Sequence, residues 1–340
     1  MKKLEQVKYF NNPTAQLEPG VEEIKNIIKR HHTWGKPFAL HALIIRLLKA
    51  VWILYYETEL VTQQVSPQNK EAIISAVSKV NQCPFCASSH TANDVKQALD
   101  SKALNLIPNK KKRLLVKWSL ATLSPEAKIV QSPPFSRKEA PEIITTAILF
   151  HYLNRMLNIF LPQESEEENF SKLNKCKQLK GQVFGWLKNQ LRSRTIYKPG
   201  ASLNLLPRTA LPEDLKWARG NPTVANALAQ FAATVEQEGQ AVLSESVQEL
   251  VKDYLKSWDG NPPPLGTYWV EEAIETLDDS LKPEARLAML TAIASYQVSE
   301  PVVRQFRKVH PFDRELLAAT SWASFAAARQ IGGQLTVPSV

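Results

Sequence analysis

Apolar residues recur along most of the chain at every third or fourth position, the spacing of one helical face. The pattern predicts helices over residues 21–29, 38–62, 67–80, 111–123 and 136–160. No run of alternating apolar and polar residues indicates a strand. The sequence therefore predicts an all-α fold.

One helix start carries clear local signals. Ser66 is suited to be the N-cap, and Pro67 is suited to the first helical position, where no backbone N–H is needed. The apolar pattern breaks at residues 81–82, and a new helix is expected to begin at about Cys83. Two helices separated by a tight turn are predicted here.

The second half of the chain resembles a divergent copy of the first. Four short segments recur in the same order: 12–14 at 221–223, 21–37 at 247–262, 67–71 at 283–287 and 134–137 at 311–314. The last two matches lie much closer together in the second copy, which lacks the segment that holds the first two cysteines. We predict two tandem related modules, residues 1–200 and 201–340, the second of them degenerate.

Length and charge fit this organisation. A chain of 340 residues exceeds the size at which one hydrophobic core stops growing, which favours two domains. The net charge is +9, and its densest run, residues 110–113, is interpreted as the solvated first turn of a helix. No arginine-glycine, RNP or zinc-finger pattern accompanies the charge, so no nucleic-acid partner is predicted.

The most apolar stretch, residues 38–56, includes His41, Arg46 and Lys49. Charged groups in a bilayer core are costly, so this stretch is predicted to be a buried or amphipathic helix and no membrane association is expected. No secretory apolar segment follows Met1, and three cysteines do not make a disulfide framework. We predict a cytoplasmic protein, in which a CxxC pair is more often functional than structural.

The chemistry of interest lies in NQCPFCASSH, residues 81–90. On a helix, Cys83, Cys86 and His90 share one face, because positions three and four apart are neighbours. A helix N-terminus favours thiolate, and Cys86 with His90 forms a nucleophile–base pair. Cys83 is close enough to attack an oxidised Cys86.

Other interpretations compete with thiol redox chemistry. A zinc site needs four ligands, and only Cys176, in a distant polar stretch, could complete the set. A thioredoxin-like site would require alternating strands and helices. A buried, inert cysteine pair is a further alternative. Redox chemistry at Cys83 and Cys86 is favoured, and no metal or cofactor is predicted.

The motif Cys83-x-x-Cys86-x-x-x-His90, with Glu71 twelve residues before the first cysteine, resembles the alkylhydroperoxidase D (AhpD) and carboxymuconolactone decarboxylase superfamily. Residues 66–67 and 150–158 add to the resemblance, which covers roughly residues 35–160. It implies an AhpD-like helical fold and a homo-oligomer. The decarboxylase branch usually lacks the CxxC pair, so that activity is not expected.

The resemblance also implies a role for each residue. Cys86 would attack the hydroperoxide and become a sulfenic acid, and Cys83 would resolve it as a disulfide. His90 and Glu71 would relay protons. A dithiol reductant, either a lipoyl protein or a thioredoxin-like protein, would restore the thiols.

One position departs from the family pattern. Some relatives have a histidine between the cysteines, where this chain has Phe85, so the relay resembles that of the broader peroxidase-related branch. The sequence predicts a thiol-dependent peroxidase. The alternative is a redox-sensing or non-catalytic scaffold whose pair regulates a partner. His151, Asn154 and Arg155 either line the pocket or hold a helix contact.

Overall fold

The computed structural model describes residues 7–11, 13–89, 93–162, 196–264 and 266–338. Within these ranges the regular elements are all helical, with no strand, which confirms the all-α prediction. None of the helices in these ranges is long and apolar enough to cross a membrane. His90 and Cys176 lie outside the described residues.

The first half contributes α1 Val21–His31, α2 Lys36–Leu40, α3 Ile45–Tyr55, α4 Pro67–Val80, α5 Pro84–Ser89, α6 Asn93–Asp100, α7 Lys110–Leu120, α8 Lys128–Gln131 and α9 Ala140–Phe160. The second half contributes α10 Pro222–Gln240, α11 Glu245–Ser257, α12 Tyr268–Ala273, α13 Lys282–Ala294, α14 Glu300–Arg307 and α15 Asp313–Gln334. Short 3₁₀ turns connect several of them.

The predicted start of α4 is confirmed in detail. Ser66 Oγ accepts the backbone N–H of Asn69 at 3.3 Å, and Pro67 is the first helical residue. The basic run opens α7, as predicted, and two of its lysines find acidic partners. Lys111 pairs with Glu139 at 3.0 Å, and Lys112 pairs with Asp94 at 2.9 Å.

The prediction of one continuous helix over residues 38–62 is wrong. Helix α2 ends at Leu40, a 3₁₀ turn follows, and Ile44 is extended before α3 begins. His41, fully buried at this break, bonds through Nδ1 to the Pro37 carbonyl at 2.6 Å and through Nε2 to Tyr152 Oη at 2.7 Å. Apolar periodicity continues through the break because both sides of it are buried.

Burial of His41 makes stability depend on pH. Desolvation lowers its pKa to about 4, against a smaller opposing effect of the Pro37 hydrogen bond. The unfolded chain, with a pKa of about 6.5, therefore takes up the proton first as the pH falls. The contribution of neutral His41 to the free energy of unfolding is fully present above about pH 6.5, and about 3 kcal/mol of it is lost by pH 4.

Urea unfolding of the wild type and of His41→Gln, measured from pH 7.5 to 4.5, checks this expectation. The neutral amide can keep both a donor and an acceptor at the site, so the variant should lose less stability across this range. Parallel pH profiles for the two proteins would show that His41 does not titrate in this way.

The core centres on two long helices, α9 and α15, which pack against each other. Every residue of α9 is buried, and α4 packs on α9 as α13 packs on α15. Phe231 lies edge-to-face against Tyr152, 5.1 Å between ring centres, and against Phe325 at 4.9 Å, which joins the halves in one core. The division into modules 1–200 and 201–340 stays a prediction.

Two glycines test the packing between α10 and α15. Gly239 and Gly333 each occupy the penultimate position of their helix. A Cβ on Gly239 would lie 2.5 Å from Cβ of Trp322, whereas one on Gly333 would meet nothing within 4 Å. Gly239→Ala should cost about 1–3 kcal/mol through overpacking, whereas Gly333→Ala should add about 0.5–1 kcal/mol. Chemical denaturation measures both, and equal effects would contradict the close approach.

Candidate active site at Cys83 and Cys86

Cys83 and Cys86 form a disulfide, with their Cα atoms 5.3 Å apart, at the start of α5. The Cys83 N–H donates to the Ser78 carbonyl at 3.0 Å, and its carbonyl accepts the Ala87 N–H at 2.9 Å. The first bond fixes the cysteine to the end of α4, and the second opens α5. Each cysteine is only 2% exposed.

The sulfur of Cys83 acts as the helix cap. The backbone N–H of Cys86 donates to Cys83 Sγ at 3.4 Å, as an N-cap oxygen would accept from the third helical residue. This bond favours negative charge on the Cys83 sulfur. The amide contact is therefore made to Cys83, whereas the sequence predicted thiolate activation at Cys86.

Glu71 lies half-buried in the second turn of α4. Ile74 and Ser78 share its helical face, since they are three and seven positions further on. Ser78 holds the Cys83 amide, about 10 Å along the axis from Glu71 at 1.5 Å per residue. Because His90 lies outside the described residues, the proposed Glu71–His90 relay stays a prediction.

The turn before Cys83 is held by a buried polar network around Asn81. Its Nδ2 donates to the Val77 carbonyl at 2.9 Å and lies 2.9 Å from His151 Nδ1. Its Oδ1 accepts from Arg155 Nη1 at 3.0 Å. Both long side chains come from α9, so the central helix fixes the conformation of this turn.

The tautomer of His151 follows from its partners. Thr122 Oγ1 donates to the Ser119 carbonyl at 2.9 Å, so it accepts the proton of His151 Nε2, 3.0 Å away. Nδ1 is then free to accept from Asn81. Burial, and to a lesser extent the charge of Arg155, hold the pKa of His151 well below its usual value, so the ring is neutral.

The remaining polar residues of α9 extend the network. Asn158 Nδ2 donates to the Asn81 carbonyl at 2.9 Å, and Asn154 Oδ1 accepts from Ser78 Oγ at 3.4 Å. His151, Asn154 and Arg155 thus hold contacts between helices, one of the two alternatives that the sequence left open. Asn81 is the positioning residue that the sequence analysis took only as a helix break.

Phe85, between the cysteines, is half-buried and packs against the core. Lys36 Nζ lies over its ring, 5.3 Å from the centre. This places a positive charge at the outer side of α5, near the redox pair.

The second half has its own histidine–carboxylate contact, which the sequence analysis did not predict. His310 Nε2 lies 2.9 Å from Glu284 Oε1, and Glu284 Oε2 accepts the Ser244 N–H at 2.9 Å. No cysteine occurs in residues 201–340. The contact ties α13 to the loop before α15 and has no thiol beside it.

No family model matches the chain. A Mycobacterium tuberculosis protein named alkyl hydroperoxide reductase is 29% identical, and the match covers 96% of this chain and 95% of the relative. The similarity thus extends across both halves and not only the cysteine segment. The resemblance to the alkylhydroperoxidase family that the motif indicated is therefore supported along nearly the full length of the chain.

Proposed function

We propose that this protein is a thiol-dependent peroxidase that reduces alkyl hydroperoxides through Cys83 and Cys86. The observation that carries the proposal is the Cys83–Cys86 disulfide at the start of α5, which is the oxidised product such a cycle would form. The full-length similarity to an alkyl hydroperoxide reductase supports the same chemistry.

In the proposed cycle the Cys86 thiolate attacks the terminal peroxide oxygen, the O–O bond breaks, and an alkoxide leaves. Cys86 becomes a sulfenic acid, and the alkoxide takes a proton to give the alcohol. The Cys83 thiolate then attacks the Cys86 sulfur, and hydroxide leaves and is protonated to water. The amide contact to Cys83 Sγ supports its role as the attacking thiolate in this second step.

Glu71 and His90 are proposed as the proton relay, which accepts the Cys86 proton and returns it to the alkoxide. Glu71 supports this role by its half-buried place in α4, the helix whose Ser78 carbonyl anchors Cys83.

A dithiol must reduce the disulfide to complete the cycle, and the burial of the cysteines limits the shape of that dithiol. Since each cysteine exposes only 2% of its surface, a slender dithiol reaches the sulfur more readily than a broad protein surface. A lipoyl arm fits this requirement, and a thioredoxin-like protein is the alternative reductant. The cytoplasmic location and the homo-oligomer belong to the same proposal.

The test measures cumene hydroperoxide loss with dihydrolipoamide as the reductant. Wild type should turn over, and Glu71→Gln should lower kcat by about 10²–10⁴-fold, the usual contribution of general acid–base catalysis. Glu23→Gln, a change at an exposed glutamate of α1, is the matched control and should leave kcat unchanged. Absence of turnover in the wild type would reject the peroxidase.

The burial of the disulfide favours a second candidate function, a redox sensor. A sensor would form the disulfide reversibly, with a stoichiometric amount of peroxide, and would regulate a partner. Dihydrolipoamide would then not sustain continuous peroxide turnover. The same assay therefore separates the two functions.

A further inference from the structure

A cleft of about 260 Å³ is lined in part by the turn that leads into Cys83. Four segments form its walls: residues 80–82, 120–124, 258–262 and 293–296. Arg155 reaches it from α9. The cleft thus brings together the end of α4 and two segments from the second half of the chain.

Arg155 is only 3% exposed, and its hydrogen bonds in the described part of the chain are all to neutral groups. Its Nε donates to the Ala292 carbonyl at 2.9 Å, and its Nη1 donates to Asn81 Oδ1 and to the His151 carbonyl. Within the described part of the chain, Nη2 has no hydrogen-bond partner. Two N–H groups of this cation are therefore unpaired among the described residues, and the Arg155 side chain lines the cleft.

A buried charge is costly unless it is paired, and neutral carbonyls compensate only part of this cost. Burial lowers the pKa of Arg155 to about 10, so the guanidinium stays charged at neutral pH. No aspartate or glutamate is among the residues that line the cleft. An anion from solution would supply the missing charge.

Neutral donors lie in the same cleft as the cation. Gln82 and Tyr296 line it, and Asn261 lines it with a side-chain amide that donates to Asp259. Burial raises the pKa of Tyr296, so its hydroxyl keeps its proton and can donate. One positive charge with neutral donors matches a monoanion better than a phosphate dianion.

Apolar side chains complete the walls, among them Leu120, Trp258 and Ile293. They would cover a hydrocarbon chain attached to the anion. The wall formed by residues 258–262 packs closely on the first half of the chain. Gly260 adopts φ +83°, and a Cβ there would lie 1.5 Å from the Leu123 carbonyl oxygen. Backbone of the second half is thus seated directly on the first half at this point.

We propose that this cleft binds a small organic monocarboxylate, with the carboxylate on Arg155 Nη2 and the hydrocarbon chain along the apolar wall. A charge-assisted hydrogen bond from arginine to carboxylate is among the strongest polar contacts in proteins. The site does not depend on the redox reaction proposed above. Its place beside Gln82, next to Cys83, puts the bound acid against the turn that carries the redox pair.

Calorimetric titration of the oxidised full-length protein with octanoate tests the proposal, with octanamide as the neutral match. Octanoate should bind at least about tenfold more tightly than the amide, and inorganic phosphate should bind more weakly than octanoate. Equal binding of acid and amide, no octanoate binding at millimolar concentration, or tighter phosphate binding would overturn the proposal.

Variants at Ser124 test the site without changing the buried Arg155, so their effect on binding does not depend on a disturbed fold. Ser124 is exposed at the mouth of the cleft, so Ser124→Glu adds a negative charge there and Ser124→Gln adds the same bulk without charge. Ser124→Glu should weaken octanoate binding about tenfold relative to Ser124→Gln. Equal affinities would reject a carboxylate at this position. Arg155→Gln should also abolish the preference for acid over amide.

Discussion

Cys86→Ser is expected to abolish peroxide turnover, lowering kcat by about 10³-fold or more, because the variant has no thiolate to attack the O–O bond. Cys83→Ser should fail differently. It retains Cys86, which would be oxidised once to a sulfenic acid that no neighbouring thiol can resolve. The two buried cysteines, 5.3 Å apart at Cα, should therefore be distinguishable by their products.

Peroxide consumption and intact mass measure this difference. Cys83→Ser should consume one equivalent of cumene hydroperoxide, and a sulfenic-acid trap should add mass to it, whereas Cys86→Ser should do neither. Cys176→Ser is the matched control and should turn over as the wild type does. If Cys86→Ser is trapped and Cys83→Ser is not, the two roles are exchanged.

The sequence predicted what depends on neighbouring residues. Ser66 and Pro67 favour a helix start through their own side chains. The structure confirms Ser66 as the N-cap of α4 and Pro67 as its first residue. At the start of a helix, the spacing of Cys83 and Cys86 brings the two sulfurs close enough to form a disulfide. The structure contains this disulfide. The family resemblance rests on the same local pattern.

Contacts distant in sequence were beyond prediction. The break at His41 depends on Tyr152, and the conformation of Asn81 depends on Arg155, 74 positions away. Apolar periodicity indicates which positions are buried, but it does not indicate which polar groups contact each other inside the core. The sequence therefore left the alternatives for Arg155 open, and only the packing of α9 shows the contacts that this residue makes.

A buried ion pair anchors the first turn of α4, next to Glu71. Lys70 Nζ lies 2.9 Å from Glu142 Oε2, and the side chains are 2% and 1% exposed. Lys70 also donates to the carbonyls of Thr58 at 2.6 Å and Val61 at 2.8 Å. Glu142 Oε1 accepts the Gln64 N–H at 2.7 Å. The pair thus joins α4, α9 and the π-helical turn Tyr56–Leu60 that ends α3.

Lys70→Met should lower the free energy of unfolding by about 3–5 kcal/mol, because it leaves the Glu142 carboxylate buried without its cation. Lys79→Met, on the same helix, is the control. Its partner Asp100 lies 3.9 Å away with both side chains more than half exposed, so the cost should stay below about 1 kcal/mol.

The double variant Lys70→Met/Glu142→Gln should recover part of the loss, since the amide that replaces the Glu142 carboxylate is neutral and keeps an acceptor for the Gln64 N–H. Urea denaturation of the four proteins in this cycle gives the coupling energy directly. A double variant as unstable as the sum of the single changes would mean that the carboxylate and the ammonium do not depend on each other. The stability of α4, and with it the position of Glu71 relative to Cys83, would then depend on the backbone carbonyls that Lys70 binds.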